Sequence, residues 1–257
     1  MSTAFLFNNK MMKYGTHVMG ISSSPTPPLP VIPANTVRVR TNDGNAPVKG
    51  HSTTSYETAT LVEGTTDVYD VYKSGTSFSN LLRGSSNITE VLGANTEGIT
   101  NMKHMFNSCN SLTTVALFDT RSVTDMQYMF YKCSALTSVP LFDTSSAIWM
   151  SHMFNQCSSL TTVPLIDTSS ATNMDYMFNK CTSLTAVQLF DTSMLDNMDY
   201  MFNNCYNVES GALALYNQVS TQRTPPSSHV ATFYNCGSNT TTGAAELAQI
   251  PNNWKST

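Results

Sequence analysis

Six cysteines are the most reactive side chains in this 257-residue sequence, and five of them, Cys109, Cys133, Cys157, Cys181 and Cys205, follow one another at intervals of 24 residues. Thiols bind zinc, form disulfides or attack as nucleophiles. Zinc sites draw on tight local pairs of the C-x-x-C kind; the sequence has none, so no metal or cofactor is expected. One thiol per unit reads instead as a small hydrophobe filling a core, with disulfides between neighbouring units as the alternative if the units stack closely enough. His104 and His152 each lie five residues before a cysteine, a superficial sign of thiol catalysis. On a helix that spacing points the two side chains apart, and Tyr128, Tyr176 and Tyr200 take the same position elsewhere. No catalytic pair is singled out.

A second polar column, Asp119, Asp143, Asp167 and Asp191, keeps the same 24-residue interval. Rungs of a parallel sheet lie about 4.8 Å apart, close to the carboxylate separation of retaining glycosidases. Such enzymes need two carboxylates in unlike environments, whereas these four are equivalent and followed by Thr and Ser or Arg. Asp-Thr-Ser after a strand is best read as a side-chain-to-backbone turn joining unit to unit. Bound cations relieving the like-charge row are the alternative. No catalytic residue is assigned.

Composition agrees with this poverty of chemistry. The chain is 40% hydrophobic, only 12% charged and carries a net charge of −4. With no basic stripe, nucleic acid is not an expected partner. No run approaches the length of a membrane span and no secretory segment is evident, so membrane insertion is not expected either.

The columns need elements to hold them, and the interval supplies these. Met102, Met105, Phe106 and Cys109 fall at i, i+3, i+4 and i+7, which predicts a two-turn helix with one buried face. Asn101, Asp125, Asn173 and Asn197 precede that turn as N-caps, with Trp149 in their place in the third unit. In Val115-Ala116-Leu117 the alternation predicts a short strand with Val and Leu inward. One strand and one short helix cannot bury their own apolar faces, but stacked copies can. The expected fold is therefore an α/β solenoid of 24-residue units with parallel short strands and short helices. Its ends degenerate into caps: Phe78, Leu81, Leu82 and Ile88 continue the pattern upstream, and Phe233 and Cys236 resume it downstream before a closing helix stopped by Pro251.

Three segments follow: residues 1–34, an N-terminal arm and Pro-rich spacer; 35–77, a small β-rich capping element with strands near 37–40, 58–62 and 67–72; and 78–257, the solenoid with its C-terminal cap. The ligand surface is sought among His104, Tyr128, Trp149, His152, Tyr176 and Tyr200. The His/Tyr column is expected to pack laterally between turns, or else to expose an aromatic ladder to sugars or a partner. Phe118, Phe142, Ile166 and Phe190 form a further column. Strict alternation points it outward as an apolar binding stripe; a turn immediately after Leu117 folds it into the core, which is the favoured arrangement.

The L-x-x-V-x-L motif, with Thr120, Thr144, Thr168 and Thr192 three residues beyond it, resembles the leucine-rich repeat. More narrowly, Val123 to Ser145, V-T-D-M-Q-Y-M-F-Y-K-C-S-A-L-T-S-V-P-L-F-D-T-S, resembles the BspA-like, DUF285-type repeats, and the likeness runs from about Phe78 to Cys236. Pro140 and Pro164 depart from the pattern at strand positions. The resemblance implies a non-enzymatic binding or structural module. The arm, spacer and Ile32 to Gly44 resemble proteins of gut bacteriophages and prophages, which implies a virion appendage or capsid-decorating protein. Residues 1–34 would then attach to a virion structural protein, and the repeats would contact a host-surface protein or glycan. A bacterial cell-surface adhesin is the alternative, a polysaccharide depolymerase the second, and a homo-oligomer is compatible with either.

Overall fold

Alternating valines start the first strand of this computed structural model, which describes residues 28–222 and 224–256. Of the predicted arm, residues 1–34, positions 1–27 lie outside the described residues. The chain divides into two units, Met1–Pro30 and Val31–Thr257; of the first, only the exposed Pro28, Leu29 and Pro30 are described.

In the second unit β1 (Thr36–Thr41), β2 (Thr58–Leu61), β3 (Val68–Tyr72), β4 (Ile88–Asn95) and β5 (Thr114–Val115) form one mixed sheet in the order β2-β3-β1-β4-β5. β1 runs antiparallel to both β3 and β4, and β4 is parallel to β5. Val37 and Val39 are fully buried. Arg38 is buried too, and its guanidinium holds both carboxylate oxygens of Asp70 at 2.6 and 2.7 Å. These two residues are directly opposite in the ladder, so slipping the register would separate a desolvated charge from its partner.

From Ser77 onward the chain climbs by 24 residues per unit. Single parallel bridges link Ser77, Asn101, Asp125, Trp149, Asn173 and Asn197 in succession. Between bridges the amides divide their work by parity. The N–H groups of Met102, His104, Phe106 and Ser108 donate to the carbonyls of Asp125, Gln127, Met129 and Tyr131 in the next unit, while those of Met105, Asn107 and Cys109 fold back to Met102, His104 and Phe106.

This pattern corrects the helix expected in each unit. Residues 102–109 form consecutive turns, made possible by left-handed backbone at two columns. One is Asn80, His104, Tyr128, His152, Tyr176 and Tyr200, with φ between 55 and 58°; the other is Ser108, Lys132, Gln156, Lys180 and Asn204, with φ between 60 and 64°. Gly84, 24 residues before Ser108, has φ 75° and shows which residue the second column would suit best. The left-handed residue swings its own N–H out of the unit so that it reaches the next one, which an α-helix cannot do. Asn101, Asp125, Asn173 and Asn197 correspondingly cap turns, each side-chain oxygen accepting from the amide two residues on at 2.9 or 3.0 Å.

The α-helices among the described residues come late. α1 (Ala212–Ser220) occupies the sequence extension after the fifth cysteine, where the repeat pattern predicts no helix. α2 (Thr241–Gln249) ends at Ile250, before Pro251, and Trp254 of the following 3-10 turn stacks on His229 at 4.0 Å and lies 6.1 Å from the Phe233 ring.

The core is made of columns. Phe106, Phe130, Phe154, Phe178, Phe202 and Phe233 stack nearly parallel at 5.2 to 6.0 Å between centroids. Around them lie the fully buried methionines and the leucines of the Leu112 column. The strand side is sparse. β5 has two residues, and beyond it the ladder is carried by isolated bonds such as Thr161 N to Thr137 O at 3.1 Å and Thr185 N to Thr161 O at 3.2 Å, because Pro140 and Pro164 offer no N–H there.

Candidate functional site

Each cysteine column member from Cys109 to Cys205 is fully buried, and its Sγ donates to a main-chain carbonyl one unit earlier: Leu82 for Cys109, then Phe106, Phe130, Phe154 and Phe178, all at 3.0 or 3.1 Å. All six thiols are free. Burial pushes Cys109 and Cys205 up to about 12 and raises the others well above the usual thiol range. A protonated thiol inside a core is neither nucleophile nor metal ligand. His104 and His152 are half-buried, and burial lowers both to about 4, with the positive charges of Arg83 and Lys103 adding to the effect at His104. Asn107 and Asn155 donate to their Nδ1 atoms at 2.9 and 2.8 Å, so both rings are neutral at pH 7.

His104, Tyr128, His152, Tyr176 and Tyr200 form one continuous stack, with centroids 4.6, 4.3, 4.6 and 4.7 Å apart and planes within 25°. Every inner ring has a neighbour on both faces. The ladder therefore presents ring edges and hydroxyls to solvent, and stacking on a sugar, which needs a free face, is confined to its two ends. Trp149 is exposed, and unlike Asn101 or Asp125 it has no oxygen to cap its turn.

The strand face departs furthest from expectation. Val115 is buried, but Leu117 is 63% exposed, and Leu141, Leu165 and Leu189 are 59, 58 and 52% exposed. Phe118, Phe142, Ile166 and Phe190 are buried instead, with Phe118 and Phe142 rings 5.0 Å apart and Phe190 stacked on Phe178. Phe118, Phe142 and Phe190 are thus removed from the candidate ligand surface, and the inward placement of the Leu117 column is corrected. The reason is local. Two-residue alternation fails after the valine; in the second unit Phe142 N–H closes a tight turn onto Pro140 O at 3.0 Å, which throws Leu141 out and turns Phe142 in. Sequence reading missed the leucine column, since its only signal is the second apolar residue directly after it.

Beside the leucines runs the aspartate column, exposed at every unit. Asp143 and Asp167 each accept through Oδ1 from the amide and hydroxyl of Ser145 and Ser169, at 2.6 to 3.1 Å, and Asp191 accepts from Ser193 N at 2.9 Å. The same oxygen of Asp119 accepts from Arg121. These bonds hold all four carboxyls below the usual carboxylate range. The threonine that follows each aspartate is buried, and the hydroxyls of Thr120, Thr144 and Thr168 donate to the carbonyls of Asp143, Asp167 and Asp191 one unit on, at 2.6 to 2.8 Å. Leu117, Leu141, Asp119, Asp143 and Arg121 line one open groove of about 490 Å³. Among the described residues the only ion pair of the aspartate row is Asp119 with Arg121.

Comparison with known proteins agrees with this repeat architecture. The family model described as "Mycoplasma protein of unknown function, DUF285" matches residues 75–184 and 138–225, together more than half of the chain. A crystal structure of the T. pallidum leucine-rich repeat protein TpLRR superposes with a TM-score of 0.51 at 18% identity, covering 70% of this chain and 79% of that one. A leucine-rich repeat protein from Eubacterium ventriosum gives 0.39 at 20% identity, covering 66% of this chain and 48% of that one. No curated protein matches the sequence.

Proposed function

The chain belongs to the DUF285, BspA-like family of leucine-rich repeat proteins, and from that premise we propose that it is a non-enzymatic binding module whose repeats form a capped solenoid presenting the Leu117, Leu141, Leu165 and Leu189 row to a partner. The observation that carries this reading is the row itself: four large apolar side chains, each more than half exposed, at one position of successive units. Scattered surface leucines need no explanation, but a contiguous apolar stripe edged by polar residues is the usual mark of an interaction site. Its neighbours offer no chemistry to compete with that role. The thiols are buried and protonated, the imidazoles are neutral members of the ring stack, and all four carboxyls are held below the usual carboxylate range, Asp119 differing only by its Arg121 partner, where a glycosidase needs one carboxyl kept protonated.

In its finer form the proposal is a phage virion appendage or capsid-decorating protein, attached through residues 1–34 and turning its repeats toward a host or mucosal ligand. The likeness of residues 32–44 to phage-encoded proteins supports it, and a bacterial cell-surface adhesin would use the same leucine row. Retention of the labelled full-length chain on intact bacterial cells and on a mucin gel tests the binding role. Saturable retention that falls in Leu141→Asn/Leu165→Asn is expected; no retention, or retention the variant keeps, contradicts it, and release of glycan fragments by the purified protein overturns the non-enzymatic reading. Antibody labelling of particles against cells decides between virion and cell surface.

A further inference from the structure

We propose that the leucine row and the aspartate row act together as the dock for one basic amphipathic α-helix of a partner protein. Its apolar side chains would pack on Leu141 and Leu165, and its Lys or Arg side chains would meet Asp143, Asp167 and Asp191. The inference rests on the binding-module reading and names the partner class.

Three properties select that occupant. The first is charge. Leu117, Leu141, Asp119 and Asp143 line one groove, and the exposed Leu165 and Leu189 likewise lie two residues before the exposed Asp167 and Asp191. A partner seated along the leucines therefore passes the carboxylates, and from Asp143 onward no ion pair neutralises them among the described residues. An apolar partner without cations would leave these charges facing a desolvating surface, which costs more than the contact returns. The second is spacing. Successive rungs are about 4.8 Å apart, and a helix laid along the stack presents a side chain every turn, about 5.4 Å, so four contacts stay within about 2 Å of register. An extended strand presents one face every two residues, about 6.7 Å, and drifts by about 1.9 Å at every step, as far in one step as the helix drifts over four contacts. The third is the alternatives. A second copy of this chain would bring its own aspartate row beside this one, and an anionic membrane surface would meet the same repulsion.

The probe is a fluorescein-labelled 18-residue peptide with Leu at i, i+4, i+7 and i+11 and Lys along one flank of that face, titrated against the full-length chain by anisotropy. Leu141→Asn/Leu165→Asn and Asp143→Asn/Asp167→Asn serve as variants; both pairs are exposed, and Asn keeps the acceptor that Ser145 and Ser169 use, so unchanged circular dichroism verifies the fold. Saturable binding is expected, weakened about tenfold or more by the leucine pair and falling steeply from about 0.05 M to about 0.5 M salt. The aspartate pair should flatten that salt dependence and erase the preference for the Lys peptide over one with Glu in its place.

Equal binding of both peptides, binding indifferent to the variants, or none at all overturns the inference. So does self-association of the full chain, or binding to phosphatidylglycerol vesicles, that disappears in the leucine variant. If the leucine variant loses retention on cells or mucin while no Lys peptide binds, the helix inference fails and the binding-module reading stands; if retention is unaffected, both fail.

Discussion

Burial sets the chemistry of individual residues here, and it does so in opposite directions for acid and base. His104 and His152 titrate near 4 instead of the ordinary 6.5 because the stack desolvates the imidazolium. As pH falls, the unfolded chain therefore takes up these protons first. The stability that depends on neutral rings is intact above about 6.5, drains away between 6.5 and 4, and is fully lost below that. In His104→Tyr/His152→Tyr, which keeps the ladder with the ring found at positions 128 and 176, the melting temperature should gain steadily on that of the unaltered protein as pH is lowered from about 7 to about 4.5; a constant difference would contradict the burial account. The thiols make the complementary case. All six are buried, so an Ellman titration of the native protein should find essentially none, and all six after guanidinium unfolding. Prompt reaction of even one native thiol would show that its column is open to solvent.

At the level of the repeating element, what matters is the alternation of amides between bonds within a unit and bonds to the next. The period, the caps and the Asp-Thr columns are legible in the sequence because each is a residue type recurring at one interval. The turns are not. Met102, Met105, Phe106 and Cys109 bury one face equally well as a helix or as linked turns, and the feature that separates the two, positive φ at the His104 and Ser108 columns, falls on a mixture of His, Asn, Tyr, Ser, Lys and Gln that shares no strong preference for it. The strand is misread for a similar reason: alternation is a rule for straight strands, and a turn around Leu141 breaks it. Left-handed backbone costs an L-residue about 1 kcal/mol or more, and the exposed Lys180 bears that cost where Gly84 does not. Lys180→Gly should stabilise the protein by about 0.5 to 1 kcal/mol in urea titration, whereas destabilisation would mean that the Lys side chain holds the turn. Thr168→Val removes the hydroxyl that donates to Asp191 O at 2.8 Å and should cost about 1 to 3 kcal/mol by leaving that carbonyl unpaired.

Across the whole molecule, the units convert a 24-residue interval into rows about 4.8 Å apart, and the rows differ by where they fall. The phenylalanine, methionine and cysteine rows are the interior; the threonine and aspartate turns tie each unit to the next; the histidine and tyrosine row closes one flank against itself. The leucine row alone leaves large apolar side chains in water at four successive units, and the binding role rests on that placement. It is most directly tested by single cysteine substitutions at neighbouring positions, read against the silent background of buried native thiols. Leu165→Cys should react with maleimide at the rate of an exposed thiol, while Ile166→Cys, at a position 3% exposed, should stay unlabelled until the protein unfolds. Protection at 165 with labelling at 166 would put the leucines inside, and the proposed docking face would not exist.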